Sequence, residues 1–370
     1  MTNWKIKTIS SLCEKIYSGG TPNTKKREYW NGDLKWLSSG ETRNKFIFNT
    51  EKRITELGAK KSSTRLAHSG DVVMASAGQG YTRGQVSLLK TDTYINQSVI
   101  VFKSNSNELL SEYLFYNLSN RYEELRALSD SNSIRGSITT KLFNSIEMII
   151  PPLNIQKQIV ETLRSLDEKI ENNKKINHHL EQMAQAIFDD MFPNVSSGNN
   201  TIGEYIVPKR GKGLLSKEAI YGTVPVIAGG LQPATYHNQA NTVAPVLTIS
   251  ASGANAGFVS LWHLPVWSSD SSYIDSSMTK EVYFWYVMLK KRQNEIYDAQ
   301  TGSAQPHIYP KHIESLLTIE IDTETLAAFT NQVTPLFEMI GTNIQENSRL
   351  AKLRDSLLPK LMSGEISVSD

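Results

Sequence analysis

KIENNKKINHHL, residues Lys169 to Leu180, lies within an apolar seam and interrupts it. Steps of four and three from Ile159 pick out Ile159, Leu163, Leu166, Ile170, Asn173, Asn177, Leu180, Ala184, Ile187 and Met191. Eight of these ten positions are apolar, and the two asparagines stand together in the middle. This 4-3 alternation is the spacing of a coiled-coil seam rather than of a general amphipathic surface helix. It predicts one helix from about Ile155 to Met191, about 55 Å long at about 1.5 Å per residue. Pro151-Pro152 marks its start, and "FPNVSSGNN" (Phe192 to Asn200) ends it in a polar linker.

The same seam is written a second time. Phe329, Val333, Leu336, Ile340, Asn343, Asn347, Leu350, Arg354, Leu357 and Leu361 match the first series position for position, with Asn173 falling on Asn343 and Asn177 on Asn347. The repetition extends beyond the helices. "GDVVMASAG" and "RGQVSLL" (Gly70 to Leu89) parallel "APVLTISASG" and "AGFVSLW" (Ala244 to Trp262). "EYLFYNLS" at Glu112 parallels "VYFWYVML" at Val282. "RGSITTKLFNSIE" (Arg135 to Glu147) parallels "TGSAQPHIYPKHIE" (Thr301 to Glu314). The period is far too long for a solenoid, so the repeat is two domains with two spacers. Expected boundaries are 1–152 and 195–322 for the globular halves, and 153–194 and 323–370 for the helical spacers.

The halves read as mixed α/β of the α+β kind. Short β-branched runs such as "DVVMAS", "SVIVF", "EMIIP" and "PVLTIS" are bounded by glycine, proline and serine turns. Between them, "SEYLFYNLSNRYEELRAL" and "KEVYFWYVMLKKRQNEIY" have helical spacing. A pseudo-two-fold duplication pairs the long helices antiparallel, with a globular half near each end of the pair. The asparagine layers of Asn173, Asn177, Asn343 and Asn347 then face one another and set the register, at some cost in stability; the alternative is that they stand exposed, on a splayed pair or against another subunit.

With 370 residues, 39% apolar and 21% charged, the chain fits an ordinary soluble protein of two or more domains. It has no apolar run near 18 residues and no basic-then-apolar N-terminus, so neither a membrane span nor a signal peptide is expected. The lone Cys13 excludes an internal disulfide framework and fits a cytoplasmic location. Net charge is only +2, but basic patches occur at Lys25-Lys26-Arg27, Lys209-Arg210-Lys212 and Lys290-Lys291-Arg292. Catalytic signatures are missing. There is no "[DNS]PP[YFW]" tetrapeptide and no G-x-x-x-x-G-K-[ST] phosphate loop. "AGQGYTRG" misses G-x-G-x-x-G by one residue, "TISASG" lacks the first glycine of a nucleophile elbow, and His178-His179 lie on adjacent helical faces. The expectation is a binding module with no metal and no cofactor of its own.

Three stretches carry a resemblance to a known family. "SGGTPNTKKREYWNGDLKWLSSGE" (Ser18 to Glu41) resembles the opening of target-recognition domains in type I restriction–modification specificity subunits. "IIPPLNIQKQIVETLRSLDEKIE" (Ile149 to Glu171) resembles the start of their first conserved helical region, and "LRDSLLPKLMSGEI" (Leu353 to Ile366) the end of their second. The second half departs from the pattern by lacking "GGTP…YWNG", and carries "YGTVPVIAGGLQPATYHN" and "SASGANAG" instead. The resemblance implies a non-catalytic subunit whose two halves read a split target in double-stranded DNA across a fixed gap. It also implies two modification subunits using S-adenosylmethionine and motor restriction subunits using ATP and magnesium.

Residue chemistry suggests where DNA would be met, since phosphate contacts position and base contacts specify. In the first half Lys25, Lys26 and Arg27 suit phosphates, with Thr21 and Asn23 in the same loop, while Gln79, Tyr81 and Arg83 suit base edges. In the second half Lys209, Arg210 and Lys212 suit phosphates. Gln232, Tyr236, His237, Ser252, Asn255 and Gln305 suit base edges. Two other readings compete: a specificity chain serving a fused methyltransferase–nuclease, and a two-domain scaffold that binds no DNA.

Overall fold

A computed structural model describes residues 4–78, 80–132, 137–302 and 305–367. Contacts divide the chain into two units, residues 1–168 with 350–370, and residues 169–349. The long helices Leu153–Met191 and Thr323–Ser363 each contribute a part to both units.

The first unit is built around the all-buried run Val72–Ala75, whose small and branched residues suit a strand covered on both faces. It lies in a five-stranded sheet in the order Cys13–Ser18, Val99–Ser104, Val72–Ala75, Val86–Leu89, Phe46–Ile47. A four-stranded sheet follows the order Lys52–Ile54, Trp30–Leu37, Thr93–Ile95, Arg65–Ala67. Helix Ser111–Asn120 buries Tyr113 through Leu118. Ile159, Val160 and Leu163 from one long helix and Leu358, Leu361 and Met362 from the other close the same core.

The second unit repeats this topology. Lys209–Arg210, Ser271–Asp275, Val246–Ser250 and Val259–Trp262 take the same order, with no fifth strand among the described residues. Val224–Ile227 pairs in parallel with Trp267–Ser268, as Trp30–Leu37 does with Thr93–Ile95. The paired sequence stretches expected from the repeat are therefore adjacent antiparallel strands in both units. Phe188, Phe192, Phe284 and Phe329 form the aromatic centre, with ring centroids 5.0–5.8 Å apart.

The two apolar helical stretches are each broken in the same place. The first divides at Arg121 into Ser111–Asn120 and Tyr122–Asn132, the second at Arg292 into Val282–Lys291 and Gln293–Asp298. Both arginines have left the α region, with ψ near 20°, and each grips the glutamate three residues on. Each member of the basic run Lys290-Lys291-Arg292 is engaged within its unit, although Lys291 remains exposed. Lys290 reaches the Val259 carbonyl, Lys291 pairs with Asp189, and Arg292 is buried.

Within the second unit the long helices run antiparallel, because Asn173 meets Asn347 while Asn177 meets Asn343. The Asn173 amide donates to Asn347 Oδ1 at 2.9 Å, and Asn343 donates to Asn177 Oδ1 at 2.7 Å. Asn173 also reaches Glu346 at 2.6 Å, yet its own buried Oδ1 has no partner among the described residues. That leaves a desolvation cost in the middle of the seam. Gly341 lies so close to His263 that a Cβ there would stand 2.9 Å from the ring, which explains a glycine deep inside a helix.

Candidate nucleic-acid interface

In each unit, two loops are anchored on the turn that precedes the same strand. In the first unit that turn is Asn96–Ser98, ahead of Val99–Ser104. Gly19 and Gly20 donate backbone N–H groups to the Asn96 and Ile95 carbonyls, Thr21 donates its hydroxyl to Gln97, and Ser76 N donates to Ser98 O at 2.8 Å. A Cβ on Gly19 would stand 2.1 Å from the Ile95 carbonyl oxygen, so the double glycine is what lets this loop close. In the second unit the turn is Ser268–Asp270, ahead of Ser271–Asp275. Gly211 and Lys212 bond to Ser271 and Ser268, and Ala251 N donates to Asp270 O at 3.1 Å.

The basic loop of the first unit exposes Lys25, Lys26 and Arg27. Its shape comes from Asn23, whose side chain accepts from Lys25 N at 3.0 Å and whose carbonyl accepts from Lys26 N and the Trp30 indole. Asn23 thus spends its acceptors on the loop. Lys26 lies 5.2 Å from the Tyr29 ring centroid.

The glycine loop is held from behind by helix Tyr122–Asn132. Tyr122 donates to the Tyr81 carbonyl at 2.9 Å, Arg126 to the Gly80 carbonyl, and the Tyr81 ring itself is 80% exposed. Gly78, Gly80 and Gly84 all take positive φ, as a loop turning this sharply requires. Arg83 departs from the base-reading role expected of it: it is buried and its guanidinium pairs with Asp130, a strut under the loop. Gln79 lies outside the described residues.

In the second unit the structure gathers part of the expected set. Asp270 accepts from Arg210 at 2.6 Å through one oxygen and from Ser252 through the other. Asn255 reaches the Gly229 carbonyl at 3.4 Å, next to the loop bearing the exposed Gln232. Gly253 N donates to Pro306 O, which brings the turn of the exposed Gln305 against the same loop. Arg210 is therefore partly neutralised, while Lys209 and Lys212 are exposed. Tyr236 is 53% exposed, but its neighbour His237 departs from expectation. The His237 ring is buried against Trp267, and its Nδ1 accepts from Ile220 N at 3.0 Å. The most exposed aromatic of this unit, Tyr221 at 96%, was not among the residues expected to meet DNA, because nothing in its local spacing separates it from a core tyrosine.

Residues 1–182 match the family described as the type I restriction modification DNA specificity domain. The chain is 27% identical to the type I restriction enzyme MjaIX specificity subunit of Methanocaldococcus jannaschii, over 100% of this chain and 94% of that protein. It is 23% identical to the HindI specificity subunit of Haemophilus influenzae, over 99% of this chain and 100% of that protein. Its fold is similar to that of the type I restriction-modification system S subunit from M. genitalium. The TM-score is 0.59 at 20% identity, covering 97% of this chain and 96% of that one.

Proposed function

Taking the chain as a sequence-specific DNA-recognition subunit of the type I restriction–modification kind, we propose that each unit reads one half of a split target. The observation that carries this reading is the repeated device: two loops anchored on one turn, built twice in one chain. Globular segments 1–152 and 195–322 supply the readers, and spacers 153–194 and 323–370 fix the number of unread base pairs between them. The four seam asparagines define the register of that spacer. The chain performs no chemistry. Two modification subunits using S-adenosylmethionine, and restriction subunits using ATP and magnesium, dock on it and act at the site it selects.

Selection of bound duplexes from a randomised pool, using the chain assembled with its modification subunits, tests this directly. Two short motifs at one fixed spacing are expected; a single contiguous motif, or no enrichment, contradicts it. Replacing Asn173, Asn177, Asn343 and Asn347 together by leucine should alter the spacing or the oligomeric state. Unchanged spacing in an unchanged assembly removes the register role.

A further inference from the structure

We propose that the loop carrying Tyr221 reads the second half-site by apolar contact, with the tyrosine ring laid against a thymine methyl in the major groove. This rests on the DNA-reading function above and adds the element and chemistry that do the reading.

The loop joins strand Lys209–Arg210 to strand Val224–Ile227. It occupies the slot that the basic loop between Cys13–Ser18 and Trp30–Leu37 fills in the first unit. Each loop contains one 3₁₀ turn, Arg27–Tyr29 and Ser216–Glu218. The first loop turns its tyrosine inward, Tyr29 being 7% exposed, and its cations outward. The second keeps its cations outward but turns its apolar side chains outward as well: Leu215 is 57% exposed, Ile220 60% and Tyr221 96%.

An exposed aromatic is informative here because its base is fixed. Ile220 N is held by the buried His237, and a Cβ on Gly222 would stand 2.3 Å from the His237 carbonyl oxygen. The His237 ring packs edge-on against Trp267, whose indole donates to the Lys212 carbonyl at 2.8 Å. Exposed Lys212 and Lys217 flank the apolar tip, while the Glu218 carboxylate is engaged by the Leu215 N–H. Lysines are depleted from the cores of protein–protein interfaces. Cations beside an apolar tip instead suit a groove whose walls are phosphates and whose floor carries thymine methyls.

The test uses the full chain assembled with its modification subunits and its selected duplex. Tyr221→Ala should weaken binding to that duplex about 10- to 100-fold. Affinity for unrelated DNA and the salt dependence should stay as they were. Tyr221→Phe should bind like the parent, because the ring and not the hydroxyl makes the contact. Thymine-to-uracil scanning of the second half-site should find one position where losing a methyl costs the parent about four-fold and the alanine variant nothing. Specific binding by the parent with no loss in Tyr221→Ala, or no methyl-sensitive position, overturns this inference and leaves the split-target reading standing. Absence of any specific duplex for the parent overturns both.

Discussion

Tyr116, Asp167 and Arg354 in the first unit stand where the repeat places Tyr286, Phe337 and Ala184 in the second. The backbone solution is shared and the chemistry is not. Asp167 is only 2% exposed, and its carboxylate accepts from Tyr116 at 2.9 Å, Arg354 at 2.6 Å and Lys45 at 3.1 Å. Burial holds Lys45 below the usual lysine range, although Asp167 opposes that shift. In the second unit the Tyr286 ring meets Phe337 edge-on at 5.7 Å, Phe337 stacks on Tyr283, and Ala184 lies in the same apolar core. The helix seam therefore tolerates either a satisfied ionic cluster or plain aromatic packing. What it cannot hold is half of the ionic one.

The largest expected effect tests that statement. Asp167→Ala removes the buried acceptor shared by Tyr116, Lys45 and Arg354 and should cost about 2–4 kcal/mol in urea unfolding. That is less than for a fully buried pair, because both cations are partly exposed and Arg354 keeps Asp355. Installing the second unit's solution, Asp167→Phe with Arg354→Ala and Lys45→Met, should recover most of that loss, since apolar replacement of a buried ion cluster is often neutral. If the triple variant is as unstable as Asp167→Ala, the two clusters are not equivalent solutions.

A smaller effect separates the two long helices, at equivalent positions that both lie in the second unit. Glycine to alanine inside a helix usually stabilises by about 1 kcal/mol. Gly341→Ala should instead destabilise, by about 1–3 kcal/mol, because the new Cβ overlaps the His263 ring. A rise in thermal midpoint would show that the ring moves aside freely. The equivalent position in the first helix is Glu171, half-exposed and paired with Lys174, where alanine should change little.

His263 also predicts a pH dependence with a definite sign. Burial pushes its pKa down to about 4, below the usual histidine value of about 6.5. Between these values the unfolded chain holds the proton and the folded chain does not. Stability should therefore fall as pH drops from about 6.5 toward 4, by at most about 1.4 kcal/mol per unit, and this contribution should be constant above that window. His263→Gln should flatten the difference; identical slopes for parent and variant would place the titration elsewhere.

The smallest effect per residue concerns charge. Replacing Lys25, Lys26 and Arg27 by serine should weaken binding to all DNA and lower the salt slope by about one per lost phosphate contact. The same change at Arg210 should do less, because Asp270 already neutralises it. Equal effects at both places would mean that the Asp270 pair opens on binding.

Much of the architecture was legible in the sequence because it is periodic. The two seams follow from 4-3 spacing and their duplication, with the asparagine layers, from the long repeat, and Pro151-Pro152 lies directly before the helix that begins at Leu153. The misjudged residues depend on distant partners. Arg83 looked like a base reader because its partner Asp130 is 47 residues away. His237 looked like a base reader because Trp267 and Ile220, which cover and bond it, belong to other segments. Asp167 fell outside the 4-3 series, yet it faces Arg354 and Tyr116, which no local pattern reveals. Arg121 and Arg292 break helices whose apolar spacing runs on undisturbed, so the spacing alone does not show the break, and each side chain closes onto a glutamate in the next turn.

The central claim is that two units of one chain each read half of one target. The most direct measurement is a genome-wide map of methylated adenine in cells carrying the chain with its modification subunits. It would be repeated without the chain, and with residues 195–322 exchanged for the matching segment of one of the similar specificity subunits. The account predicts a split motif that needs the chain, and an exchange that rewrites one half while the other half and the gap stay unchanged. A methylation map indifferent to the chain, or an exchange that rewrites both halves together, would contradict it.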